Sequence, residues 1–173
     1  MRLHTIYPIF FVFLLFMQSC VESGTSENQS NVSTNDSTIV LRGLSKELSF
    51  QLPKELLANE TFESEYNANF GQLELRLGDS FEIYITEEKL SLLGLREELN
   101  NDQLFTYQFE VENDSELVFQ SILPDGNPHS YHFVKARNFN GLSLIIRTAP
   151  MGNFNKQQLK RMEDAIATLT LVE

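Results

Sequence analysis

One cysteine, three histidines and no tryptophan occur in a chain of 173 residues. A single Cys cannot close an internal disulfide, nor can it build a cysteine-rich zinc cage. Basic residues are scarce as well: 13 Lys and Arg stand against 24 Asp and Glu, a formal charge of −11. Nucleic acids demand a basic surface, so this balance argues against DNA and RNA as partners. Glycine-rich phosphate and dinucleotide motifs are missing, and no G-x-S-x-G elbow marks a serine nucleophile. No cofactor and no metal are implied. What the chain does hold is apolar: hydrophobic residues make up 42%, and Phe alone counts 14. That share exceeds what a disordered chain carries and leaves room for a real core.

Phe10, Phe11, Phe13 and Phe16 fall in an unbroken apolar run, Ile9 to Met17, preceded by Arg2. A charged start, a short apolar stretch and a small residue (Ser19) before a break describe a secretory signal peptide. Even extended back to Ile6, the run falls well short of the roughly 20 residues that span a bilayer. Leu14-Leu15-Phe16-Met17-Gln18-Ser19-Cys20 resembles the lipobox of bacterial lipoprotein signals, with Met17 and Gln18 departing from the usual Leu and small residue. The resemblance implies that residues 1–19 are removed. It also implies that Cys20 is lipidated by palmitate-like acyl chains and that the protein is anchored in the cell-envelope membrane. Val21, where enteric inner-membrane lipoproteins carry Asp, implies the outer membrane, on either its periplasmic or its surface face. The alternative is ordinary signal-peptidase cleavage near Ser19, which leaves a free thiol.

Residues 21–37 (VESGTSENQSNVSTNDS) contain only Val21 and Val32 as sizeable apolar side chains. Such a stretch cannot bury enough surface to offset its ordering entropy, so residues 20–37 read as a lipidated Cys and a disordered tether.

Residues 38–173 read as one α+β domain. Thr38–Arg42 and Glu47–Leu52 are short strand patterns around Gly43, and Pro53 can sit in the first turn of a short helix through Ala58. Leu73, Leu75 and Leu77, then Phe81, Ile83 and Ile85, alternate with polar residues and predict a hairpin. Good helix formers fill Glu87–Asn100, and Leu90, Leu93 and Leu95 or Leu99 offer an apolar stripe, which predicts a central helix. Phe105, Tyr107, Phe109 and Val111 open a meander, with turns at Asn113-Asp114, Pro124-Asp125-Gly126-Asn127 and Asn140-Gly141. Asn155 and Gln158 form a capping-box pattern ahead of Leu159, Met162, Ile166 and Leu169 at helical spacing. The expected fold is an antiparallel β-meander sheet packed against a C-terminal amphipathic helix, with one shorter central helix. An early strand ending in Leu52-Pro53, a meander and a closing amphipathic helix are similar to the Mog1/PsbP-like fold. That resemblance implies a binding or assembly module without catalysis.

Candidate chemistry is sparse. His129 and His132 lie three apart in a predicted strand, so their side chains are expected on opposite faces. Carboxylates such as Glu82, Glu110, Glu87-Glu88 and Glu97-Glu98 are explained by solvated faces. Charge is uneven along the chain: Lys135, Arg137, Arg147, Lys156, Lys160 and Arg161 follow an acidic first part. They form either an anion- or partner-binding patch or the counter-charge of neighbouring acidic strands. The functional expectation is a lipid-anchored, non-catalytic binding or assembly module for another envelope protein or a small ligand. The alternatives are a dispersed-site envelope hydrolase and a purely structural lipoprotein.

Overall fold

The computed structural model describes residues 34–35 and 38–172; the signal segment and the lipidation candidate Cys20 lie outside them. In chain order the elements are β1 (Thr34–Asn35), β2 (Thr38–Leu41), β3 (Leu48–Gln51), α1 (Lys54–Leu57), β4 (Phe62–Asn67), β5 (Gln72–Leu77) and β6 (Phe81–Thr86). They continue as α2 (Leu92–Asn100), β7 (Thr106–Asn113), β8 (Glu116–Ile122), β9 (Pro128–Phe139), β10 (Leu142–Thr148), α3 (Lys156–Ala167) and β11 (Thr170–Leu171). The class is mixed α and β, built mostly of antiparallel sheet.

Seven strands form the main sheet in the order β4-β5-β6-β10-β9-β8-β7, every neighbouring pair antiparallel. This departs from the single meander expected. There are two meanders, β4 to β6 and β7 to β10, joined where β6 pairs with β10. The chain leaves β6, crosses through α2 and starts again at the opposite edge. The tight turns follow local chemistry. Asn140 and Gly141 take φ of 49° and 88°, the two positive values that a type I′ hairpin turn requires.

One face of the sheet carries the larger core. Leu73, Leu75, Leu77, Ile83, Ile85, Leu144 and Ile146 point into it from the central strands. Above them lie α3 and a small sheet of order β1-β2-β3-β11, which contributes Ile39, Leu41, Leu48 and Phe50. The helix forms where expected because its N-terminus is satisfied. The Asn155 side chain accepts from the Gln158 amide at 2.9 Å, and the Gln158 side chain accepts from the Asn155 amide at 2.8 Å. Leu159, Met162, Ala165 and Ile166 then fall on one buried face, each larger side chain contributing about 1.5–3 kcal/mol.

The central helix begins five residues later than its composition predicts. Glu87 to Leu90 are exposed and have no regular structure. They offer the core little, whereas Ser91 caps the helix by accepting from the Gly94 amide at 3.2 Å. Pro53 likewise precedes the first helical residue of α1 as its cap and does not sit inside its first turn. Three elements lie outside the sequence reading. β4 adds a strand at the sheet edge, β1 pairs with β2 inside the stretch read as tether, and β11 pairs with β3 after α3 has ended at Ala167, short of Leu169.

Candidate functional site

The second face of the main sheet is only partly covered. From the capped start of α2, Leu92, Leu95 and Leu99 recur at spacings of three and four, which puts them on one side of the helix. That side packs on Leu117, Phe119, Val134 and Ile145, with Tyr107 and Phe109 beside them. Ile145 is the telling position. It follows Ser143 and precedes Arg147 on the β10 face opposite Leu144 and Ile146, so an apolar residue there signals a covered patch.

Between α2 and the far end of β10 this second core opens into a cleft of about 250 Å³. Leu95, Leu99, Phe105, Tyr107, Phe119 and Val134 supply apolar wall. Ser121, His129, His132, Arg147 and Thr148 supply polar groups, and Pro150 and Met151 stand at one side. Met151 is 95% exposed, so this side of the cleft meets solvent.

Both histidines line the same cleft, which corrects the expectation of opposite faces. The cause is a register shift in the β8–β9 pairing. Ser121 faces Ser130, but the next residue, Ile122, faces Pro128, so β9 carries one extra residue, His129. A bulge of this kind re-aims the side chain of the added residue. The Phe105 ring stacks on His129 with centroids 5.5 Å apart. His132 is buried, with Nδ1 3.1 Å from Thr148 Oγ1 and the Phe119 ring centroid 5.5 Å away. Burial pushes the His132 imidazole down to about 4, and the nearby His129 adds to the effect. It is therefore neutral near pH 7.

The other polar groups are mostly engaged. Ser121 Oγ donates to the Ser130 carbonyl and accepts from the Ser130 amide, both at 3.2 Å. Tyr107 donates its hydroxyl to Asp102 Oδ2 at 2.7 Å, and burial together with that carboxylate raises its pKa. Arg147 differs. Its Nε is buried and has no hydrogen-bond partner among the described residues.

The same sheet face shows what a satisfied arginine looks like. Arg76 Nε donates to Glu82 at 2.9 Å, and its terminal nitrogen reaches Glu74 at 2.5 Å. Burial opposes charge on Glu74, but hydrogen bonds from Gln72 and Asn67 and the Arg76 guanidinium outweigh it and hold its carboxyl low. Glu82 also accepts from the Tyr84 hydroxyl at 3.0 Å.

The six C-terminal cations are placed separately. Lys135 is buried between Glu116 at 2.5 Å and Glu163 at 2.9 Å. Its β9 position faces Ile146 in the α3-covered core, whereas Arg147 pairs with Val134 and Tyr84 on the opposite face. Lys156 pairs with Glu110 at 2.7 Å and Lys160 with Asp164. Arg137 and Arg161 are exposed. Glu87 accepts from the Ser45 amide, and Glu97 and Glu98 are exposed on α2. Among the described residues no group of three or more His, Cys, Asp or Glu side chains converges to hold a metal, and no helix is long and apolar enough to cross a membrane.

Compared with known proteins, the chain matches no family model, no curated protein and no solved structure.

Proposed function

We propose that this chain is a lipid-anchored cell-envelope protein whose domain is a non-catalytic binding module, and that the module holds a small, largely apolar molecule. The anchoring half of the proposal rests on the Cys20 lipobox resemblance and places the protein at the outer membrane. The binding half rests on the cleft between α2 and β7–β10. Its volume of about 250 Å³ lies just below the ~300–1,000 Å³ of sites for drug-sized ligands. Leucine and aromatic walls with a few inward polar groups are the usual composition of such sites. The C-terminal amphipathic helix is one of the features behind the Mog1/PsbP-like resemblance, and members of that fold often serve binding without catalysis.

Leu99→Trp tests the binding half. The indole extends into the cleft, and because the chain has no Trp it also reports its own surroundings by fluorescence. Small fluorinated aromatic compounds screened by ¹⁹F NMR against the anchored protein should give binders that lose affinity at least tenfold in Leu99→Trp. Binders that keep full affinity in this variant would locate the site elsewhere. A screen without any binder would favour the purely structural lipoprotein.

One contact favours the hydrolase as a second reading: neutral His132 against the Thr148 hydroxyl inside the cleft. A nucleophile–base pair needs this reach, but the base also needs a group that orients it. Among the described residues no carboxylate lines the cleft. Hydrolysis of a p-nitrophenyl ester that Thr148→Val and His132→Gln both abolish would overturn the binding reading in favour of this one.

A further inference from the structure

Arg147 is the one Lys or Arg among the described side chains that line the cleft, and none of those side chains is acidic. It is half-buried, its Nε is shielded from solvent, and no described residue accepts a hydrogen bond from that atom. Leaving a buried N–H unmatched costs roughly 1–3 kcal/mol. In a chain where acids outnumber bases 24 to 13, a carboxylate partner would be easy to supply. Arg76, on the same face, has two. The register withholds one from Arg147, whose neighbours across the strands are Tyr84 and Val134.

We propose that the cleft's ligand is a small amphiphilic monocarboxylate, its aromatic or short aliphatic tail against Leu95, Leu99 and Phe119 and its carboxylate on the Arg147 guanidinium. The proposal rests on the small-ligand reading of the same cleft and adds the ligand's charge to it. A guanidinium matches a planar carboxylate through two parallel N–H···O bonds. A single lining guanidinium balances one negative charge. A phosphate monoester would bring close to two, and among the described residues no second Lys or Arg lines the cleft to meet the excess. Among the described residues no lining carboxylate opposes an acid at this point.

The test uses the full chain in phosphatidylcholine vesicles, with empty vesicles as the blank. Ligand-observed ¹⁹F NMR titrations compare 4-fluorophenylacetate with its neutral isostere 4-fluorophenylacetamide. The acid should bind at least tenfold more tightly than the amide. Arg147→Met should lose that preference and keep the amide affinity within about twofold. Equal binding of acid and amide by the unaltered protein would overturn the carboxylate inference and leave the small-ligand cleft standing. An acid preference that survives Arg147→Met would also overturn it. Binding of neither probe would overturn the cleft reading and this inference together. If Arg147→Met does not fold, the acid-to-amide ratio of the unaltered protein decides alone.

Discussion

Burial changes His132 from a group that titrates near neutrality into one that stays uncharged to about pH 4. The unfolded chain takes up a proton at this residue as the pH falls through 6.5, but the folded chain does not until about 4. The unfolded state therefore gains protons first, and stability falls with pH across that window. The full difference amounts to at most about 3 kcal/mol. Urea midpoints above pH 6.5 and near pH 4 should show the protein losing more stability on acidification than His132→Gln does. Equal losses in the two proteins would sink this account. Neither the depressed pKa nor the shared cleft is legible from the residues alone. A regular strand would put His129 and His132 on opposite faces, and the extra residue opposite Ile122 appears only once β8 and β9 are paired. Arg147 was legible as a cation but not as an unmatched one, because its strand neighbours come from positions 84 and 134.

Elements whose signals are local were legible; those set by distant pairing were not. The β5–β6 hairpin, the Asn140-Gly141 turn and α3 each follow from a few adjacent residues. β4 was missed because Phe62, Ser64 and Tyr66 alternate with acids yet are only half-buried at a sheet edge. Its Ser64 blunts the apolar period that would have marked it. The β6–β10 junction carries no local mark, because it forms only after the chain has crossed the molecule through α2. The cleft shares that origin, since its walls come from α2, β7, β8, β9 and β10 at once. The capped N-terminus of α3 makes a local claim that can be measured. Asn155→Ala removes the acceptor of the Gln158 amide and should cost about 1 kcal/mol, whereas Asn155→Gly should cost a few tenths. Thermal melts followed by circular dichroism should place the Ala variant roughly 3 °C lower. A Gly variant that melts below the Ala variant would contradict the capping role.

Charge ties the domain together and would also set how the domain meets a membrane under the proposed anchoring. The late cations Lys135 and Lys156 reach back to Glu116 and Glu110 on earlier strands, so the uneven charge along the chain partly cancels in space. The excess of acid remains, and it deepens if Arg2 leaves with a signal segment. A surface of this sign is repelled by anionic headgroups within a Debye length of about 8–10 Å. A lipidated Cys20 would therefore gain no help from the domain's net charge at an anionic surface. On this view the acyl chains are the whole attachment, each buried methylene adding about 0.8 kcal/mol. Cys20→Ser should then abolish palmitate labelling and move the protein entirely from the membrane to the soluble fraction, at low salt as well as high. Full release only at high salt would mean that a second, electrostatic contact shares the load. Membrane retention with unchanged labelling would refute the anchor itself.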